Sequence, residues 1–193
     1  MRTRRRPSLR RGSCLFLMGL SLVSCGGHST PAQPPLRTAA SVDLSRYAGV
    51  WYEIARLPLW SQRKCVASTA EYRLLETGEI GVRNACVTTS GDQISIEGTA
   101  TVVDPESHAK LNVMFDQWAV KLVSWFRSSK EGNYWILRVD RDYGWSMVGT
   151  PDRRYLWILG RIPGLEESLY QDLVDSARQL GFPTEQLIRS KPS

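Results

Sequence analysis

The amino-acid sequence predicts an all-β fold: an eight-stranded antiparallel up-and-down β-barrel with one C-terminal α-helix packed on its outside. Eight short segments alternate apolar with polar residues, and turn residues separate them at regular spacing. One long segment, near the carboxyl terminus, instead repeats apolar residues every three or four positions. The first strand carries Trp51 and the last ends at Arg161, so a cation over an indole can join the two ends of a closed sheet. Closure removes the sheet edges and leaves room for one small ligand.

The eight predicted strands follow one another through mostly short connections. Thr77-Gly78 predicts a tight hairpin turn between the second and third strands. Alternation along the last strand places Tyr155, Trp157 and Leu159 on its inward face. The expected bounds of the strands are residues 49–57, 66–76, 79–88, 93–103, 109–115, 132–139, 142–150 and 154–161.

Three flanking elements complete the predicted fold. Residues 42–47 should form one helical turn that closes an end of the barrel. A helix is predicted over residues 166–180, since Gly181 and Pro183 are typical of a helix end. Residues 186–189 are predicted to add a short strand. The apolar stripe that should hold the helix against the barrel consists of Leu165, Leu169, Leu173, Ala177 and Leu180.

The first 24 residues have the pattern of a secretion signal, with six arginines followed by an apolar run. The apolar run has about ten residues, and a membrane-spanning helix needs about 20. Leu22-Val23-Ser24-Cys25 resembles the lipobox of bacterial lipoproteins. This implies cleavage before Cys25 and its modification with a diacylglycerol and an acyl chain such as palmitate. Gly26 then favours the outer membrane, and more than one acyl chain gives stable anchoring.

An ordinary signal peptide cleaved nearby is the alternative, and it would leave Cys25 as a free thiol. Because an exposed thiol is a liability in an oxidising compartment, we favour lipidation. Residues 26–41 contain three prolines and no apolar periodicity. We therefore predict a lipidated cysteine and flexible linker over residues 25–41, followed by one folded domain over residues 42–193.

The charge of the chain argues against nucleic-acid binding. The formal net charge is +6, but the six excess basic residues are the arginines that precede Cys25. The rest of the chain has 19 basic and 19 acidic residues. No basic face is therefore expected on the folded domain to hold phosphates, and no nucleic-acid partner is predicted.

Three motifs in order give the chain a resemblance to the lipocalin family. Gly49-x-Trp51 is similar to the first lipocalin motif, Asp140-Arg141-Asp142-Tyr143 to the second, and Arg161 to the third. The resemblance covers about residues 42–188, and it is strongest to the bacterial outer-membrane lipoproteins and to the apolipoprotein D-like subgroup. It implies that Gly49, Trp51 and Arg161 are structural, with the guanidinium on the indole.

The resemblance also implies a binding function. Tyr72, Asn84, Tyr134 and Trp157 match positions that line the pocket of apolipoprotein D-like proteins. An apolar cup with a few polar groups suits an amphipathic lipid, so the expected ligand is a fatty acid or lysophospholipid. The implied role is lipid storage, transport or envelope maintenance at a membrane held through the N-terminal anchor. No cofactor and no metal ion is expected.

Two cysteines lie within the predicted barrel. Cys65 begins the second strand and Cys86 lies near the end of the third, so both should be at the same end of one hairpin. We predict a disulfide between them, which would stabilise the fold by about 3 kcal/mol for a loop of this length. The alternative is a nucleophilic thiol at Cys65, but no histidine lies near it in sequence.

Other residues give little support for catalysis, and we predict that the chain is not an enzyme. His108 lies in a predicted turn, and the metalloprotease and serine-hydrolase motifs are absent from the sequence. Glu53 could act as a buried acid or base in a lipid-modifying enzyme, although a paired structural role is favoured. A third interpretation is an envelope interaction module that uses the aromatic residues of segment 117–127. That segment could be a lid, a membrane contact or a buried strand connection.

Overall fold

The computed structural model describes residues 33–116 and 130–191 of the chain. Each strand of the described residues pairs antiparallel with the next, and β1 pairs with both β8 and β2, so the sheet closes into a barrel. The predicted fold class is confirmed. The elements are α1 (Leu44–Tyr47), β1 (Gly49–Arg56), β2 (Cys65–Leu74), β3 (Ile80–Thr88), β4 (Gln93–Val102), β5 (Lys110–Phe115), β6 (Tyr134–Val139), β7 (Trp145–Gly149), β8 (Leu156–Gly160), α2 (Glu167–Gln179) and β9 (Ile188–Arg189).

Strand β1 changes its neighbours along its length. Its first half pairs with β2, with Gly49 opposite Tyr72. Its second half pairs with the short strand β9, and a bulge between Glu53 and Ala55 shifts the register against β8. The bulge interrupts the alternation of side chains, because an extra residue turns the strand locally. The predicted short strand at the carboxyl terminus is thus confirmed as the continuation of the sheet beside β1.

The helical turn α1 closes one end of the barrel. Asp43 caps it, since its Oδ1 accepts hydrogen bonds from the backbone N–H groups of Ser45 (2.9 Å) and Arg46 (3.2 Å). The hydroxyl of Ser45 also donates to this carboxylate and is the main cause that lowers the pKa of Asp43. Tyr47, at the end of the turn, is buried against the fully buried Trp51. This end of the barrel is therefore filled with side chains.

Helix α2 packs on the outer face of the barrel, as predicted. Its buried residues are Tyr170, Leu173, Val174 and Ala177, whereas Leu169 is only partly buried. Leu173 and Ala177 of the predicted stripe are thus buried, and its other three leucines pack partly buried against the apolar clusters, so the stripe is confirmed and Tyr170 and Val174 widen it. Tyr170 and Val174 fit against the sheet where the bulge in β1 presents two consecutive apolar residues, Ile54 and Ala55.

Two turns shorten the last strands relative to the prediction. Residues 140–144 form a turn in which Tyr143 has a φ of +60°, so β7 begins at Trp145. Arg153 has a φ of +59° in the next turn, so β8 begins at Leu156. Tyr155 consequently precedes the strand.

Residues 33–42 run along the outside of the barrel to α1. The Ala39 N–H donates to the Ile136 carbonyl (2.9 Å), and the Val42 N–H donates to the Ser107 carbonyl (2.8 Å). At the opposite end from α1, Arg153 in the β7–β8 connection donates to the Pro34 carbonyl. The last part of the predicted linker thus already contacts the barrel, and the boundary at residue 42 stays a prediction. No helix within the described ranges is long and apolar enough to cross a bilayer.

Candidate ligand-binding cavity

A cavity of about 520 Å³ lies inside the barrel. This volume falls within the range of about 300–1,000 Å³ that is usual for small-molecule sites. Leu59, Ser61 and Gln62, from the β1–β2 connection, line its open end, and the end covered by α1 is closed. Its remaining lining residues are Glu53, Cys65, Ser68, Thr69, Ala70, Tyr72, Val82, Asn84, Ala85, Cys86, Ile94, Ser95, Ile96, Val113, Phe115, Asn133, Tyr134, Trp157 and Leu159.

The four residues predicted to line a ligand pocket all reach this cavity: Tyr72, Asn84, Tyr134 and Trp157. They come from three walls, namely the β2–β3 hairpin, β6 and β8. Tyr155, which was expected beside Trp157 on the inward face, is not among the lining residues. Tyr155 lies in the turn before β8, where its ring stacks on that of Trp157 with centroids 6.2 Å apart, so it is beside Trp157 as predicted but does not reach the cavity. That the other four contact a ligand stays a prediction.

Hydroxyl groups form a connected cluster at the closed end of the cavity. The Tyr72 and Tyr134 hydroxyls are 2.7 Å apart, and the Tyr47 hydroxyl lies 3.2 Å from those of Tyr134 and Ser146. Burial raises the pKa of all three tyrosines above the ordinary value of this side chain. The groups therefore stay neutral near pH 7 and satisfy one another. Our sequence analysis did not identify Tyr47 or Ser146, since their separation from the other members is too large for any local pattern to show.

Two polar atoms on the cavity wall have no hydrogen-bond partner among the residues that the structure describes. They are Ser68 Oγ and Asn84 Oδ1, which are buried without a hydrogen bond among the described residues. The register of the β2–β3 ladder places Ser68 opposite Cys86 and Asn84 opposite Ala70, so both lie on the inner face. Ser68 was not identified from the sequence, although alternation with Tyr72 is a signal that could have found it.

Glu53 lies at the cavity wall near the open end and is fully engaged. Its carboxylate accepts hydrogen bonds from Arg56 (2.8 Å), Ser190 (2.6 Å) and Gln62 (3.2 Å). Both members of the ion pair are buried. A buried charge that is paired and hydrogen-bonded in this way holds the β1–β2 connection and the carboxyl-terminal segment in place. The paired role favoured by the sequence is the one observed.

The predicted disulfide between Cys65 and Cys86 is present, with a Cα–Cα distance of 5.6 Å. It lies at the open end, where both residues line the cavity. The bond joins β2 to β3 beside the β1–β2 connection. It therefore restrains the rim of the cavity, and neither sulfur is a thiol.

Arg161 and Trp51 form the predicted stack at the closed end. The Arg161 guanidinium carbon lies 3.8 Å from the centroid of the Trp51 ring. The same guanidinium donates to the backbone carbonyls of Val50 (2.9 Å), Arg46 (2.7 Å) and Ala48 (2.9 Å). Gly49, between these residues, has a φ of +98°, and a Cβ on it would lie 3.3 Å from Arg161 Nη1. The glycine, the tryptophan and the arginine thus belong to one structural unit.

The remaining predicted motif residues have structural contacts. The Tyr143 hydroxyl accepts a hydrogen bond from the Asp43 N–H (2.7 Å), and Arg46 lies over the Tyr143 ring at 4.4 Å. His108 has a φ of +55° in the β4–β5 connection. No group of His, Cys, Asp or Glu side chains suited to a metal ion occurs within residues 33–116 and 130–191. Cys25, the signal sequence and the aromatic segment 117–127 lie outside the described residues.

Comparison with known proteins identifies the family to which the chain is similar. A family model for the lipocalin-like domain matches residues 42–192. The chain is 36% identical over 160 residues to temperature-induced lipocalin-1 of Arabidopsis thaliana, covering 82% of this chain and 83% of that protein. It is 30% identical over 184 residues to the outer membrane lipoprotein Blc of Escherichia coli, covering 94% of each chain.

Solved structures agree on the fold. Insecticyanin from the tobacco hornworm Manduca sexta superposes with a TM-score of 0.58 at 19% identity, covering 83% of this chain and 86% of that one. The cockroach allergen Per a 4 gives a TM-score of 0.60 at 17% identity, covering 81% and 92%. With the barrel, the cavity and the tryptophan–arginine unit, these similarities establish that the chain belongs to the lipocalin family.

Proposed function

We propose that this lipocalin binds one fatty acid or lysophospholipid in the barrel and serves lipid storage, lipid transport or maintenance of the cell envelope. The cavity is the observation that carries the proposal. Val82, Val113, Phe115 and Leu159 give it apolar walls, and a few polar groups are placed among them. A site of this kind buries an acyl chain through the hydrophobic effect and orients its polar end through hydrogen bonds.

The proposed location is the outer membrane of a bacterial cell, with the chain anchored through a lipidated Cys25. The arginine-rich signal and the lipobox-like Leu22–Cys25 support this proposal. So do the relatives named outer membrane lipoprotein in Vibrio cholerae and Escherichia coli.

A binding role is favoured over a lipid-modifying enzyme. Cys65 is held in a disulfide and offers no thiolate, which is the form needed for nucleophilic attack. Glu53 already accepts three hydrogen bonds, so it is poorly placed to exchange a proton with a ligand. An interaction module with a filled barrel is disfavoured by the volume of the cavity.

Native mass spectrometry of the delipidated domain after exposure to a bacterial lipid extract tests the proposal. We expect a one-to-one adduct with an acyl-chain lipid, and a weaker adduct for Trp157→Ala and Tyr72→Ala, which remove cavity walls. Arg73→Ala is the matched control, because Arg73 is on the same strand as Tyr72 but exposed. Absence of any adduct to correctly folded protein would refute the proposal. Signal processing is tested separately, by metabolic labelling of Cys25 and Cys25→Ser with a palmitate analogue.

A further inference from the structure

The cavity has polar groups at two depths, and they differ in whether they are satisfied. At the closed end, the Tyr134 hydroxyl is hydrogen-bonded to the hydroxyls of Tyr72 and Tyr47. Nearer the open end, Asn84 Oδ1 and Ser68 Oγ are buried and have no partner among the described residues. A buried polar atom without a partner has lost its hydrogen bonds to water, so these two atoms favour a ligand that supplies the missing hydrogen bonds.

The β2–β3 register fixes the depth of each unsatisfied atom. Asn84 lies two residues from Cys86 at the rim and two residues from Val82, which is opposite Tyr72 at the closed end, so with a rise of about 3.3 Å per residue it is about 7 Å from each level. Ser68 is opposite Cys86 and is thus the diagonal neighbour of Asn84, one inward-facing position nearer the rim. Diagonal neighbours are about 7–8 Å apart, so one small ligand group fits between the two side chains. A ligand group bound there would have its apolar part below, against Tyr72 and Val82, and further atoms above, towards the rim.

The charges around the cavity do not suit an anion at this depth. Among the described lining residues, Glu53 is the only charged side chain, and it is an acid. Arg56 is bonded to Glu53 and does not line the cavity. A carboxylate beside Asn84 would therefore lose its hydration without gaining a cation. The loss of hydration is costly for an ion, and much less so for a hydroxyl.

We infer that the cavity selects an acyl-chain or similar apolar ligand whose mid-depth polar group is uncharged and carries a hydroxyl. The inference rests on the proposed function and narrows its ligand class. The ligand hydroxyl donates to Asn84 Oδ1 and accepts from the Ser68 hydroxyl, so both unsatisfied atoms gain a partner. Lipids with a free hydroxyl on a glycerol unit and long-chain alcohols have this chemistry, whereas an ionised fatty acid does not.

Two matched probes, dodecanol and dodecanoate, test the inference. Each is titrated into the protein as the cell produces it, after any lipid bound in the cavity has been removed. At about pH 8, where a carboxyl is ionised in water, dodecanol should bind at least about tenfold more tightly than dodecanoate. Dodecanoate should bind more tightly at about pH 5, because more of it is neutral. The titratable side chains lining the described cavity are Glu53, Tyr72 and Tyr134. Because dodecanol does not ionise between about pH 5 and about pH 8, any change in its affinity over this range measures the effect of pH on the protein itself.

Two variants locate the effect. Asn84→Leu keeps the volume of the side chain but removes its hydrogen bonds, and should weaken dodecanol binding about tenfold while leaving dodecanoate little changed. Ser68→Ala is a second, smaller change that should act in the same direction. Arg83→Leu is the control, because Arg83 is adjacent to Asn84 but exposed.

The outcomes separate this inference from the proposed function. If dodecanoate binds as tightly as dodecanol at about pH 8, the inferred selection for an uncharged hydroxyl is overturned, and the proposed lipid binding stands. The same holds if Asn84→Leu and Ser68→Ala leave the preference for dodecanol over dodecanoate intact. If neither probe binds, both proposals fail.

Discussion

Replacing Arg161 with alanine should strongly destabilise the barrel. Its guanidinium stacks on Trp51 at 3.8 Å and donates to four backbone carbonyls around α1, those of residues 46, 47, 48 and 50. A cation over an indole is worth about 0.5–2 kcal/mol, and a hydrogen bond from a charged donor about 1.5–3 kcal/mol. These contributions do not add fully, since part of the guanidinium is exposed and the carbonyls can regain water. We therefore expect a loss of about 3 kcal/mol in the free energy of unfolding.

Urea denaturation followed by far-ultraviolet circular dichroism measures the loss. With a slope of about 1–3 kcal/mol per molar urea, Arg161→Ala should lower the midpoint by about 1–3 M. Arg161→Lys should lie between the wild type and the alanine variant. Its ammonium keeps the charge over Trp51, but its point-like head cannot reach as many carbonyls as a planar guanidinium does.

Arg154→Ala is the matched control for this experiment. Arg154 also faces an aromatic ring, that of Tyr155, but at 5.6 Å, and its ion pair with Asp152 is exposed at 3.9 Å. Its replacement should change the free energy of unfolding by less than about 0.5 kcal/mol. Equal effects of Arg161→Ala and Arg154→Ala would refute the assignment of Arg161 as the residue that joins the two ends of the barrel.

Three further predictions concern stability. Reducing the Cys65–Cys86 bond, or replacing both cysteines with serine, should lower the free energy of unfolding by about 3 kcal/mol. Calorimetry measures this loss, and an unchanged melting temperature would contradict it. Asp43→Ala should lower the urea midpoint at neutral pH. The difference between wild type and variant should disappear as the pH falls below about 4, because the lowered pKa of Asp43 means that only its ionised carboxylate stabilises the fold. The buried tyrosines have raised pKa values, so the stability that their neutral forms contribute should be present below about pH 10 and lost above it. A urea midpoint that falls equally with pH in wild type and Tyr72→Phe would contradict the assignment of that loss to Tyr72.

The closure of the barrel could be predicted from the sequence because its main determinants are local. Alternation along the last strand identified Trp157 and Leu159 as inward residues, and both line the cavity. The resemblance to the lipocalin family, rather than alternation, identified Tyr72, Asn84 and Tyr134. The tryptophan and arginine at the two ends of the sheet predicted where it closes.

The features that the sequence did not predict depend on shifts of register or on distant pairings. The bulge in β1 makes Ile54 and Ala55 consecutive buried residues, so Tyr170 and Val174 of α2 are buried in addition to the predicted stripe. A left-handed residue at Arg153 delays β8, so Tyr155 precedes the strand and stacks on Trp157 without lining the cavity. Tyr47 and Ser146 meet across 99 positions of sequence, and only the closed fold brings them together.

The central claim is that one lipid occupies the interior of the barrel, and a cavity-filling variant tests it most directly. Ala70 lines the cavity from β2, and Ala70→Trp would fill the space between Tyr72 and Asn84. Isothermal titration calorimetry with a lysophospholipid should give a stoichiometry of one for the wild type and for the exposed control Arg73→Trp. Ala70→Trp should show no binding, while its unchanged far-ultraviolet circular dichroism spectrum shows that it is folded. Unchanged binding by folded Ala70→Trp would place the lipid outside the barrel and contradict the account.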